Sequence, residues 1–189
     1  MKGDAYDKYL KQAISGAMPA LVKMREEGMI KAWGMGVNTL PPILAALEAS
    51  DPDVLLAACQ YTLLDHEASL EKLFPACEKS GASVVVGSPL NAGYLAGTKN
   101  YNYLGKVPKD APEKRAKMAE IALMHGTDLR TVALQFCAAP ETVSAVIPGA
   151  RKPHHIVENV ASHAAKLPAD LWAELKSEKL ISASAPVPS

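Results

Sequence analysis

At 189 residues, 49% hydrophobic and 21% charged, the chain falls in the one-domain range and carries enough apolar material to bury a core. Its 20 Lys and Arg balance its 20 Asp and Glu, so no net field draws a polyanion and nucleic acid is not an expected partner. No apolar run reaches the ~18 residues of a membrane helix and no basic-then-apolar leader is read at the N-terminus, so a cytoplasmic location without membrane contact is expected.

From Tyr9 to Glu27, Leu10, Ala13, Ala17, Leu21 and Met24 recur at helical spacing and Gly28 supplies a stop, with Gly16 and Pro19 as points where the helix divides. Lys31 to Val37 predicts a short strand whose Gly34 and Gly36 leave room for a neighbour or a ligand. Thr39 is placed to cap a helix with Pro41 and Pro42 in its first turn and Ile43, Leu44 and Leu47 on its apolar face. Asp53 to Tyr61 predicts a second strand, and Glu67 to Lys79 a helix kinked at Pro75 and closed by Gly81. Ala82 to Val86 predicts a third strand. It is followed from Ser88 to Pro108 by a long loop rich in Gly, Asn and Tyr, of a length typical of lids or disordered segments.

Pro112 to His125 and Asp128 to Ala138 predict two more helices, the first stopped at Gly126 and the second capped by Thr127. Val143 to Ile147 is short, apolar and β-branched, as a buried parallel strand should be, and a helix opens at Pro153. Pro168 to Asp170 starts a last amphipathic helix carrying Leu171, Trp172 and Leu175, and a mobile Ser/Ala/Pro tail is expected over 181–189. Cys59, Cys77 and Cys137 lack C-x-x-C spacing and read as reduced core residues.

Four strands alternating with helices imply right-handed βα units and a parallel sheet, an α/β chain of one domain over 1–189. A flavodoxin-like open sheet with helices on both faces is the rival architecture. The corner from Ile147 to Val160 joins a strand end, a loop with Arg151 and Lys152, and a helix start. Unsatisfied N–H groups and the helix dipole attract an anion there, and the alternative is an ordinary βα loop with surface cations.

Ile147-Pro148-Gly149-Ala150-Arg151, then Pro153 and Glu158-Asn159, resembles the last βα corner of aldo-keto reductases, where the adenosine end of NAD(P)H is held. MREEGMIKAWGMGVN, from Met24 to Asn38, and GSPLNAGYLAG, from Gly87 to Gly97, resemble two further segments of that family. Tyr61 to Asp65, Asn91 to Gly97, Asn100 to Tyr103 and Ala133 to Phe136 are most similar to the branch that oxidises aldoses such as galactose or fucose, or pyridoxal. The resemblance implies strands five to eight of a TIM (β/α)8 barrel, a fold that takes about 250 residues when complete.

It also implies an NAD(P) site, one position at a time. Asn38 and Gln60 stand near the nicotinamide contacts, although a turn Asn and a core-edge Gln are the plain alternatives. Ser88, Leu90 and Asn91 match the loop that spans the pyrophosphate. Ile147, Gly149, Ala150 and Arg151 form the adenosine corner, with Arg151 toward a 2′-phosphate or the adenine, His155 beside it, and Glu158 and Asn159 on the adenine edge. The family's catalytic Asp, Tyr, Lys and His lie on the first four strands and have no counterpart here, so no catalytic residue is carried over and the chain alone is expected to be inactive.

Tyr61, Tyr101 and Tyr103 read as packing residues, and His125, His154 and His163 lack the spacing of metal ligands. An open half-barrel exposes strand edges, so a homodimer or a complementing half-barrel is the expected partner beside the small-molecule cofactor. A non-catalytic dinucleotide-binding or self-associating module is the second functional reading, and a truncated gene product without a function of its own is the third.

Overall fold

The computed structural model describes residues 4–103 and 106–188. Its N-terminal helical path comprises α1 (Asp4–Gln12), a π-helical turn over Ala13–Ala17, and α2 (Met18–Glu26). The expected division at Gly16 and Pro19 is therefore replaced by a widened turn, closed by the Met18 N–H on the Ala13 carbonyl. Proline has no N–H and crowds the carbonyl four residues back, and an extra residue in the turn relieves both faults. The same device precedes α4 (Phe74–Ser80), where a π turn over Ser69–Leu73 absorbs the kink expected at Pro75.

Four strands follow in the expected order: β1 (Gly34–Val37), β2 (Val54–Ala58), β3 (Ser83–Gly87) and β4 (Val143–Ile147). β1 starts later than expected. Trp33, just before it, is buried and gives its N–H to the Asp53 carboxylate at 2.8 Å instead of to a strand. Gly34 is required at the strand's first position, because a Cβ there would sit 1.7 Å from the Val54 carbonyl oxygen. β2 ends at Ala58, short of the expected Tyr61, because Cys59 turns into the left-handed region at φ 59°.

All neighbouring strands run parallel in the order β1-β2-β3-β4, with Ala58, Gly87 and Ile147 aligned at their C-terminal ends. Doubly wound sheets reverse their strand order at a switch point, and this sheet does not. A sequential parallel sheet alternating with helices is half of a (β/α)8 barrel.

The helices between the strands are α3 (Leu40–Ala49), α4, and the pair α5 (Ala111–Met124) and α6 (Leu129–Ala138); α7 (Pro153–Ala164) and α8 (Ala169–Ser177) follow β4. They cover one face of the sheet. Leu55 pairs with Val84 and Ala57 with Val86, all fully buried, in a core that includes Tyr61, Leu73, Phe136 and Trp172. Leu56, Val85 and Ala145, the alternate row, are only partly buried or exposed, as expected for the lining of an unclosed barrel.

Two capping expectations change. Thr39 occupies the N-cap position of α3 but makes no side-chain cap bond. At α6 the cap is Asp128 and not Thr127: its carboxylate accepts the Thr131 N–H at 2.9 Å and brings negative charge to the positive helix end. Thr127 instead donates its N–H to the Ala122 carbonyl and closes α5.

The long loop after β3 is largely ordered. It contains a 3-10 segment over Asn91–Ala96 and buries Tyr94, Leu95 and Tyr101, while Leu104 and Gly105 lie outside the described residues. The segment expected to be a mobile tail is packed as well. Ile181 and Ala185 are buried in the core and the Ser182 N–H donates to His66 Nε2 at 3.0 Å; only Ser189 lies outside the described residues. Small and apolar side chains in a Ser/Ala/Pro stretch let it lie flat against the helices.

Candidate functional site

A cleft of about 700 Å³ opens at the C-terminal ends of β3 and β4, in the size range of small-molecule sites. Ser88 and Leu90 bring one wall, and Gly149, Ala150 and Arg151 bring the opposite one. His155, Glu158 and Asn159 complete it from the first two turns of α7. Eight of the twelve residues singled out in the sequence therefore meet in one place.

The other four do not line it. Asn38 follows β1 and Gln60 follows β2, and the Gln60 amide donates to the Asn38 carbonyl at 2.8 Å, tying two strand ends together. Ile147 is half exposed and belongs to a separate apolar hollow with Pro148, Ile156 and Val160. Asn91 is fully buried behind the cleft wall, where its amide donates to Asp65 Oδ2 at 2.8 Å. The left-handed backbone at Ser88 and Asn91, with φ 52° and 48°, turns the Asn91 side chain inward, which residue order alone does not convey.

The structure adds residues that the sequence reading passed over. Arg130 of α6 reaches the cleft and forms an ion pair with Glu158. This pair spans 28 residues, and no local pattern announces it. Tyr103, read as packing, stands on the rim with its hydroxyl 2.9 Å from Ser88 Oγ. Gly93, Thr98 and Asn100 extend the same wall.

The charges are arranged unevenly. The Arg130 guanidinium holds the Glu158 carboxyl below the ordinary carboxylate range, chiefly through their hydrogen bond, so Glu158 is an anion at neutral pH. Arg151 is exposed, and its backbone N–H donates to His155 Nδ1 at 3.2 Å, so the neutral imidazole carries its proton on Nε2. Lys152 stands at the N-cap of α7 without a side-chain bond, Pro153 has no N–H and the His155 N–H donates to the Lys152 carbonyl at 3.0 Å, which leaves the His154 N–H of the first turn for a ligand. Asn159 Nδ2 and Arg130 Nε are buried without acceptors. Two orphaned donors beside an exposed Arg and a free helix start fit an acceptor-rich, anionic ligand.

Among the described residues that line the cleft, the Ser88 and Tyr103 hydroxyls bond to each other and not to a His or carboxylate. Burial pushes the Tyr61 and Tyr101 phenols and the Cys59 and Cys137 thiols up, and the Cys77 thiol up to about 11, so none is poised near neutrality. Among the described residues, no three His, Cys, Asp or Glu side chains gather where they could hold a metal ion. None of the described helices is long and apolar enough to cross a membrane.

A parallel half-barrel with a cationic loop and a helix start after its last strand defines the class. Residues 4–179 match the aldo/keto reductase family, and the chain belongs to it. It is 34% identical over 174 residues to the D-threo-aldose 1-dehydrogenase of a Pseudomonas species, covering 89% of this chain and 52% of that one. It is 33% identical over 171 residues to the pyridoxal 4-dehydrogenase of Microbacterium luteolum, covering 88% and 49% respectively. An aldo-keto reductase of Bacillus halodurans in its holo form superposes with a TM-score of 0.68 at 25% identity, over 91% of this chain and 57% of that one. The chain thus spans about half the length of the relatives it matches, and two of them carry the aldose and pyridoxal activities of the branch that the sequence motifs resemble.

Proposed function

We propose that the chain is the cofactor-binding half of an NAD(P)-dependent oxidoreductase acting on a sugar or pyridoxal carbonyl. The observation that supports this most directly is the cleft, where eight of the twelve expected cofactor residues meet beside the orphaned donors of Arg130 and Asn159. Arg151 and the first turn of α7 would hold the adenosine phosphate, and Asn159 with Glu158 the adenine edge. Ser88 and Leu90 would approach the pyrophosphate. Asn38 and Gln60, at the strand ends across the sheet, would face the nicotinamide end. The bound cofactor supplies hydride transfer at the nicotinamide ring, and this chain supplies binding and orientation.

With no Asp/Tyr/Lys/His tetrad, the chain alone is proposed to be inactive. A second reading, a dinucleotide-binding or self-associating module, is favoured by the open flank, where β4 pairs with β3 alone among the described residues and Ile147, Ile156, Val157 and Val160 are exposed. A second copy or a complementing half-barrel would cover it, in the cytoplasm. Calorimetric titration with NADH and NADPH tests the main reading. Saturable binding that Arg151→Ala weakens by about tenfold is expected. Absence of binding by the intact chain would overturn it.

A further inference from the structure

We infer that Asp65 is a positioning residue that fastens the Ser88–Tyr103 wall of the cleft in its working shape. The ligand half of this inference rests on the dinucleotide reading; the structural half does not. Asp65 lies on the turn after β2, outside the cleft, and its Oδ2 accepts from three side chains of the wall: Asn91 Nδ2 at 2.8 Å, Tyr101 OH at 2.7 Å and Asn102 Nδ2 at 3.4 Å. Asn91 Nδ2 also donates to Asn102 Oδ1 at 3.1 Å, and the Asn102 N–H to the Asn91 carbonyl at 3.2 Å, so the two ends of the wall are clasped around one carboxylate oxygen.

The need for a clasp is visible in the backbone. Cys59, Ser88, Asn91, Ala92 and Asn102 all have φ between 44° and 59°, five of the six non-glycine positive-φ residues among those described. Such conformations are costly for residues with a Cβ and persist only where the surroundings enforce them. A hydrogen bond to a charged acceptor is among the stronger enforcers available.

The turn that carries Asp65 is itself rigid. Thr62 Oγ1 accepts the Leu64 and Asp65 N–H groups at 3.2 and 3.0 Å, and the Thr62 N–H donates to the Asp65 carbonyl at 2.9 Å. Asp65 thus transmits the position of the β2 end to Ser88, Leu90 and Tyr103, the cleft-facing members of the wall. Arg115, over the Tyr94 ring at 4.6 Å, anchors the outer part of the loop independently, so loss of Asp65 would loosen the wall without releasing all of it.

The test is limited trypsin digestion of the full chain, comparing cleavage after Lys99, in the exposed stretch of the wall, with cleavage after Lys79 in α4. Asp65→Ala should raise the Lys99 rate by about tenfold and leave Lys79 unchanged. Asp65→Asn, whose amide oxygen can still accept, should restore most of the protection. Tyr101→Phe removes one donor at constant shape and should raise the Lys99 rate by roughly threefold, which tests the clasp even if Asp65→Ala does not fold. An unchanged Lys99 rate, or an equal rise at both lysines, would overturn the inference. In parallel calorimetry with NADPH, Asp65→Ala should weaken binding by about tenfold, with Asp65→Asn close to the unaltered chain. If the unaltered chain binds no dinucleotide, the proposed function falls while the digestion still decides the role of Asp65.

Discussion

Two corners at the C-terminal side of the sheet behave as opposites. After β2, the chain closes on itself: Tyr61 stacks on Phe136 at 5.0 Å, His66 meets Phe136 edge-on at 5.2 Å, and the C-terminal segment lies across them through the Ser182 bond to His66. Ile147 at the end of edge strand β4 and Ile156, Val157 and Val160 on α7 remain between 51% and 68% exposed. The first corner is covered by Phe74, Phe136 and the C-terminal segment, whereas the described residues leave the apolar side chains of the second exposed. The candidate cleft takes one wall from the loop after β3, which Asp65 ties to the first corner, and its charged wall from the second.

The largest effect should come from breaking the closed corner at its centre. Phe136 is fully buried, and Phe136→Ala removes a ring that touches both Tyr61 and His66. A loss of about 3–5 kcal/mol is expected in denaturant unfolding, with the range set by how far the site can collapse. A loss below about 1 kcal/mol would mean that the two corners are not as different as their packing indicates.

A smaller effect is tied to pH. His66 is buried, its Nδ1–H donates to the Thr62 carbonyl at 3.0 Å, and its Nε2 accepts from Ser182, so both ring nitrogens are committed in the neutral form. Burial pulls its pKa below the ordinary histidine value, although the nearby carboxylates of Glu67 and Asp65 pull the other way. The unfolded chain therefore binds the proton more readily than the folded one, and stability rises with pH across that window. Its contribution is complete above the unfolded value of about 6.5 and is lost as pH falls through it toward the folded value. Melting temperature should drop between pH 7.5 and 5.5. His66→Phe should flatten that part of the profile while costing about 1–3 kcal/mol at pH 8, because the Thr62 carbonyl and the Ser182 N–H lose their partner.

The same contrast explains what the sequence disclosed. Hydrophobic runs and glycine stops located all four strands, and in β2 and β3 the apolar run is buried as such a run implies; β4, expected to be buried, lies at the sheet edge with Ser144, Ala145 and Ile147 exposed. The corner from Ile147 to Asn159 was legible through a local pattern in which loop, cation and helix start are contiguous. Arg130 and Asp65 were not, since each acts across 26 or more residues and their own surroundings look like an ordinary helix and an ordinary turn. Residue order places Asn91 in the cleft with its neighbours Ser88 and Leu90, and a positive φ turns its side chain to the other side. Composition predicts a free tail for the C-terminal segment, because it reports propensity and not the contact with His66 that holds the segment in place.

The smallest effect on stability is expected on the open flank, and it sharpens the comparison most. Val157 is 68% exposed, so Val157→Asp removes little packing and should shift unfolding by no more than about 0.5 kcal/mol. Association should respond differently. If a second copy or a complementing half-barrel covers Ile156, Val157 and Val160, a carboxylate at the centre of that contact would be buried without a partner. Light scattering of the purified chain at micromolar concentration should then show a dimer for the unaltered sequence and a monomer for Val157→Asp, with the NADPH titration unchanged because Val157 is not among the residues that line the cleft. A monodisperse monomer in both cases would leave the flank open by design of the chain alone and remove the case for self-association. A dimer in both would place the contact elsewhere, at the free edge of β1, where Gly34 and Gly36 keep exposure and offer backbone groups without an apolar cover.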